Sequence, residues 1–240
     1  MDTTKFNDKG SIKMVAHRGV SGLEKENTCP AFELAGKKSY YGIETDVHVT
    51  KDGKFILAHD SDLRRLADVD MMVEESNFDD LRALRMKGID GGKVRDDLFL
   101  PTLEEYIGIC KKYDKQAVLE LKNSIFREKV WEIADITKEL GWIDRVTFIA
   151  FSRQDLLYLR ERYPEADAQL LIGYCTEDDI KFMVDNRFDT DLYNECLTKE
   201  KVKRLHEAGI KVNVWTVNTL EEAKKMQDFG VDMITTNILE

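Results

Sequence analysis

The chain has 240 residues, of which 42% are hydrophobic, 34% charged and 9% aromatic. That is an ordinary globular composition, long enough to bury a core without disulfides or a structural metal. The formal net charge of −10 argues against nucleic acid or an anionic membrane as the main partner, and an anionic substrate would have to be met by a metal ion or a few focused cations.

Apolar, β-branched runs alternate with segments of helical period. The first run, 12–16, ends at His17, and Phe32, Leu34 and Ala35 then mark a helix over 28–38. A second strand over 43–49 meets the turn Lys51-Asp52-Gly53-Lys54 and returns as 55–58, a hairpin. Residues 61–100 break the rhythm. They are charged, carry Gly88, Gly91 and Gly92, and read as an insertion on one face. Pro101-Thr102 opens a helix over 102–112, with Thr102 as N-cap and Glu105 three residues on.

Strands over 117–119, 146–151 and 168–172, a weak polar strand over 188–192, and strands over 210–217 and 231–236 follow. Between them lie helices over 128–140, 153–162, 177–185, 199–208 and 220–229. Gly141, Gly209 and Gly230 each stand where a helix would end in a left-handed residue. No Ser/Gly/Pro linker divides the series. The pattern predicts one α/β domain over 1–240, and the length with its regular βα units favours a TIM (β/α)8 barrel over a doubly wound sheet.

Cys29, Cys110, Cys175 and Cys196 stand at long, irregular gaps with no Cys-x-x-Cys pair, and read as reduced packing residues. No stretch approaches 18 apolar residues and the N-terminus has no apolar leader segment, so neither a secretory signal nor a membrane span is expected, and the cytoplasm is the expected compartment.

Chemistry in such a barrel sits at the C-terminal ends of its strands. His17-Arg18-Gly19 ends the first strand, Glu44 and Asp46 share one face of the second, and Glu120 and Lys122 share one face of the next barrel strand. On spacing alone Glu44, Asp46 and Glu120 either pair with Arg18 and Lys122 or form an all-oxygen site suited to Ca²⁺ or Mg²⁺. His17 and His59 each follow an apolar run directly, and two imidazoles flanking a bound anion can serve as base and acid. His48 reads as structural, and His206 lies on an exposed helix.

These residues fall in an order that resembles the glycerophosphodiester phosphodiesterase family. The strings are His17-Arg18-Gly19, Glu26-Asn27-Thr28, Glu44-Thr45-Asp46-Val47, Thr50-Lys51-Asp52-Gly53, His59-Asp60, Leu100-Pro101-Thr102-Leu103-Glu104-Glu105, Glu120-Leu121-Lys122, Phe151-Ser152 and Trp215-Thr216-Val217-Asn218. The resemblance implies a TIM barrel with a short insertion after the second strand. It implies a divalent metal on Glu44, Asp46 and Glu120, His17 and His59 as the acid/base pair, Arg18 and Lys122 on the phosphate, and Trp215 as an aromatic platform. The implied reaction hydrolyses a glycerophosphodiester to sn-glycerol 3-phosphate and an alcohol; which histidine is base in the first step is open in the sequence, and His17 as base with His59 as acid is the expectation taken.

The partner is then a small molecule, with no nucleic acid and no stable membrane association. The rival reading is a phosphodiesterase acting on lipids, in the manner of lysophospholipase D or sphingomyelinase D. The charged 61–100 segment speaks against an acyl groove, although Leu66, Val69, Met71, Met72, Val73 and Phe78 within it are apolar. Lys25, Asn123 and the run Thr236-Asn237-Ile238 depart from the family pattern; none is an expected ligand.

Overall fold

The structure is a computed structural model that describes residues 2–123 and 125–240. β1 (Lys13–Ala16) leads through α1 (Cys29–Gly36) to β2 (Gly42–Val49), which turns back as the antiparallel β3 (Phe55–Leu57). A segment carrying α2 (Arg64–Ala67), α3 (Phe78–Ala83) and the paired β4 (Met86–Lys87) and β5 (Val94–Arg95) precedes α4 (Leu103–Lys112). The alternation then runs β6 (Gln116–Leu121), α5 (Arg127–Glu139), β7 (Val146–Ala150), α6 (Arg153–Arg162), β8 (Asp167–Ile172) and α7 (Glu177–Asn186). It closes with β9 (Asp189–Tyr193), α8 (Lys199–Glu207), β10 (Val212–Trp215), α9 (Leu220–Phe229) and β11 (Met233–Thr236).

Eight of these strands are parallel neighbours in the order β1-β11-β10-β9-β8-β7-β6-β2, and β2 pairs back on β1 through Val15 with Gly42 and Ala16 with Ile43. The sheet is therefore a closed barrel, with β3 attached outside the ring as one extra strand. The expected TIM barrel is the fold. The weak polar run over 188–192 is a full barrel strand, because its ladder to β8 and β10 needs backbone groups rather than apolar side chains.

Each helix after a barrel strand starts at the end of the barrel where the strand finishes, and, apart from α5, whose N-cap Phe126 makes no side-chain bond, the starts of these helices and of α4 are fixed chemically. Thr28, Thr102, Ser152, Thr176, Thr198 and Thr219 are N-caps whose hydroxyls accept backbone N–H groups of the first turn. Thr102 with Glu105 forms the expected reciprocal box. Gly141, Gly209 and Gly230 take positive φ past α5, α8 and α9. One cysteine departs from expectation: all four are free thiols, but Cys196 is exposed on a short turn after β9 rather than packed.

The main core lies between the barrel and its helices, and a smaller one fills the barrel itself with Val15, Val118, Ile149 and Leu171. Residues 61–100 have a third. Leu66, Val73, Leu81, Met86, Leu98 and Leu100 pack on Ile56 of β3, with Val69, Met71 and Phe78 partly buried against them. Glu74 anchors this segment by one oxygen that faces His48 Nδ1 at 2.7 Å and accepts from Ser61 Oγ at 3.1 Å and Asn123 Nδ2 at 2.6 Å. Arg82 adds two bonds to Glu105. Among the described residues no helix is long and apolar enough to cross a membrane.

Tyr106 ties α4 to the barrel. It is fully buried, packs edge-on to Phe32, and its hydroxyl donates to the Ile43 carbonyl at 2.6 Å. Tyr106→Phe keeps the ring and leaves that carbonyl one donor short, so urea unfolding should show a loss of about 1–2 kcal/mol. An unchanged midpoint would mean that the hydroxyl contributes nothing.

Candidate active site

Glu44 and Asp46 alternate with Ile43 and Thr45 on β2, and Asp46 is the register partner of Glu120 on β6. All three carboxylates are buried, and one oxygen of each lies within 4.8 Å of the others. Like charges that close, away from water, cannot all persist unaided. Burial opposes ionisation of Asp46, yet Lys122 and Arg18 outweigh it and hold this carboxyl down at about 2, helped by the Asn27 amide donating at 2.7 Å. Burial, and then the charge on Asp46, push Glu120 up to about 8 and raise Glu44 well above the usual carboxylate range.

Lys122 Nζ stands 2.9 Å from Glu120 and 3.5 Å from Asp46, so the ion pairing open on spacing alone is part of the arrangement. It does not complete it. Asp46 Oδ1 is buried without a hydrogen-bond partner, as is Arg18 Nε among the described residues. Three buried hard oxygen donors, one of them unpartnered, fit a hard divalent cation.

The loop after β1 is shaped around this cluster. Arg18 sits at φ 53 and Asn27 at φ 51, a left-handed conformation that is costly for most residues. Both are held by bonds to β2. The Arg18 backbone N–H donates to Glu44 Oε2 at 2.7 Å, and the Asn27 side chain accepts from Thr45 while donating to Asp46. Gly19, at φ 77, passes so close to α1 that a Cβ would sit 2.7 Å from the Ala31 backbone. Only glycine meets both conditions.

The two histidines have different partners. His17 Nδ1 lies 2.7 Å from Asn237 Oδ1. An amide oxygen only accepts, so Nδ1 carries the proton and Nε2 is left free, 3.9 Å from Glu44. Burial, and then Arg18, push the pKa of His17 down to about 4. His59, which follows β3 and Ala58, is more exposed. Its Nδ1 faces a carboxylate, Asp60, at 2.6 Å. Burial lowers its pKa as well, while Asp46 pulls the other way. Asp60 also takes the Arg65 Nε, and Arg65 makes two bonds to Glu26, which accepts from Arg18. His59 and Arg18 are therefore tied through one residue of the 61–100 segment.

A cavity of about 130 Å³ opens at this end of the barrel. His17, Arg18, Glu44, His59, Glu120 and Trp215 line it; Asp46 and Lys122 do not, but Lys122 Nζ stands against both the lining Glu120 and Asp46. The Trp215 indole N–H donates to the Asp191 carbonyl, and its ring meets Phe151 edge-on at 6.0 Å and Tyr193 at 5.3 Å. The Trp215–Thr216 peptide is cis.

Phe151, which the sequence marked only as part of the Phe151-Ser152 string with no role, and Asp191, which it did not mark, also line the cavity. Asp191 lay in the polar run over 188–192, whose lack of apolar period was the available signal. Asn237, noted in the sequence only as a departure from pattern, holds His17. No residue of 61–100 lines the cavity among the described residues; the segment braces the wall from behind.

Residues 17–240 match the sequence model of the glycerophosphoryl diester phosphodiesterase family. An uncharacterized protein of Bacillus subtilis is 30% identical over 95% of this chain and 96% of its own length. A glycerophosphodiester phosphodiesterase of Bacillus altitudinis is 30% identical over 94% of each. Among solved structures, a glycerophosphodiester phosphodiesterase of Thermotoga maritima is 27% identical with a TM-score of 0.76, covering 94% of both chains. An Oleispira antarctica phosphodiesterase in complex with the product sn-glycerol-3-phosphate is 24% identical with a TM-score of 0.85, covering 94% of this chain and 92% of its own.

Because Glu44 and Glu120 are raised in the fold, the metal-free protein keeps protons there that the unfolded chain loses above about 4.5. Their contribution to stability is full below that pH and is lost as pH rises towards 8. A cation must displace the same protons, so its affinity should rise with pH from 6 to 8, by about tenfold per unit for each proton released. Calorimetry with Mg²⁺ or Ca²⁺ measures this. At a hundred times its Kd the cation should raise Tm by about 5–10 °C. A pH-independent affinity would contradict this charge distribution.

Proposed function

This chain belongs to the glycerophosphoryl diester phosphodiesterase family and is a phosphodiesterase; on that premise we propose that it hydrolyses water-soluble glycerophosphodiesters to sn-glycerol 3-phosphate and an alcohol, with a divalent cation, Ca²⁺ or Mg²⁺, on Glu44, Asp46 and Glu120. The observation that carries this reading is the pair of histidines in one small cavity beside the carboxylate triad, one backed by an amide and the other by a carboxylate. The Oleispira neighbour, which holds the proposed product, supports it.

The cation, when bound, supplies positive charge that offsets the repulsion of a phosphodiester monoanion towards a nucleophile. Arg18, with its unpartnered Nε, and Lys122 draw the phosphate into the same corner. His17 is the base. Its neutral form persists down to about pH 4, and its free Nε2 takes the proton from the attacking glycerol 2-hydroxyl as the new O–P bond forms. His59 is the acid. Burial lowers its pKa while Asp46 and Asp60 oppose that, and in its protonated form it delivers its own ring proton to the head-group oxygen as the old P–O bond breaks. Water then opens the cyclic phosphate with the two roles exchanged. Trp215 and Phe151 offer an aromatic wall to the organic part of the substrate.

Of the apolar residues that could have lined an acyl groove, Met72 is exposed and the other five pack inward. Leu66 and Val73 are buried in the core of the 61–100 segment, and Val69, Met71 and Phe78 pack on it. A lysophospholipid tail would forfeit roughly 0.8 kcal/mol for each methylene left in water. Glycerophosphocholine should therefore be turned over only with a divalent cation present, and with a higher kcat/KM than lysophosphatidylcholine below its micellar concentration. The reverse order would favour the lipid-hydrolase reading.

His17→Ala and His59→Ala should each lower turnover by about 10²–10⁴-fold. A p-nitrophenyl ester needs little help from an acid, so it should partly rescue His59→Ala and leave His17→Ala inactive. Rescue of the other variant would exchange the two roles.

A further inference from the structure

β9 stands four strands from β2 in either direction around the barrel, so Asp191 faces the carboxylate triad from the opposite wall. It is 1% exposed and lines the cavity, and its Oδ1 is buried without a hydrogen-bond partner among the described residues. The strand neighbours offer none. Leu171 is apolar, and the Asn213 amide is taken up by Gln169 and Thr235. Burying a carboxyl in this state is costly, and its position beside Ile149 and Leu171 makes a hydrocarbon side chain the cheaper occupant.

We infer that Asp191 hydrogen-bonds the terminal hydroxyl of the substrate's glycerol half, and so selects glycerol diesters over diesters of alcohols that lack it. The inference rests on the function proposed above. The cavity sets the size of its occupant, since an apolar cavity of 150 Å³ just admits benzene and this one is about 130 Å³. A three-carbon polyol fits, while a head group of variable size has to leave through the mouth. With the phosphate held by Arg18 and Lys122 on the β1–β2–β6 side, the glycerol carbons run across the barrel and bring the terminal hydroxyl to β9. Asp191 is not part of the oxygen cluster able to hold the cation, so its partner is substrate.

The test compares glycerophosphocholine with 2-hydroxypropyl phosphocholine, which keeps the attacking hydroxyl and lacks the terminal one. Both are assayed at saturating Mg²⁺ or Ca²⁺. The wild type should prefer the first by about 10–10³-fold in kcat/KM, as buried groups left unpaired by the analogue demand. Asp191→Leu should lower kcat/KM for glycerophosphocholine until the ratio approaches 1, and Asp191→Asn, which can still exchange a hydrogen bond, should keep most of the preference. Asp191→Ala serves if the leucine variant does not fold.

A ratio that survives in the leucine or alanine variant overturns the inference, and so does an equal loss on both diesters, which marks a structural role. Weakened cation binding with an unaltered ratio would make Asp191 a metal ligand and overturn it likewise. A wild type inert on both diesters removes the proposed function itself and the inference with it, an outcome distinct from an active wild type with an unaltered ratio.

Discussion

Glu44, Asp46 and Glu120 are set within 4.8 Å of one another inside a barrel, where little water reaches to separate their charges. The arrangement is tolerable only because each is answered differently. Asp46 keeps its charge through Lys122, Arg18 and the Asn27 amide, while Glu120 and Glu44 hold protons against their burial. Much of the neighbouring backbone follows from that demand. The left-handed Arg18 presents its N–H to Glu44, the left-handed Asn27 reaches Asp46, and Gly19 lets the loop lie against α1. A divalent cation would take over the task the protons perform.

The cost of this end of the barrel shows in its unpartnered atoms. Of the four buried side-chain polar atoms without a hydrogen-bond partner among the described residues, three belong to Arg18, Asp46 and Asp191. Such groups destabilise a fold, and their concentration at one end marks where a ligand would complete the bonding. The rest of the chain is well satisfied, with hydroxyl caps on most of the helices that follow barrel strands and one Glu74 oxygen serving His48, Ser61 and Asn123. Stability is secured away from the cavity, which leaves the cavity free to be strained.

The 61–100 segment takes part in this division. Its apolar residues turn inward on Ile56, and its contribution to the site is polar and indirect. Arg65 joins Asp60 and Glu26, and through them His59 and Arg18. Its effect on chemistry would be to hold two side chains still.

The barrel was legible in the sequence because its signals are local. Apolar runs, Thr and Ser caps, and glycines past helix ends each act within a few residues, and β2's alternation put Glu44 and Asp46 on one face. The ordered motifs likewise marked His17, Arg18, His59, Glu120 and Trp215, which line one cavity, and Lys122, which pairs with Glu120 there. Closure of the ring decided the rest. It brought Asn237, 220 positions away, to His17, set Asp191 across from the triad, and placed Phe151 against Trp215. It also decided which carboxyl would carry the charge, since that depends on distances between strands far apart in sequence. A local pattern determines which way a side chain points along its own strand; only the closed barrel determines what it meets there.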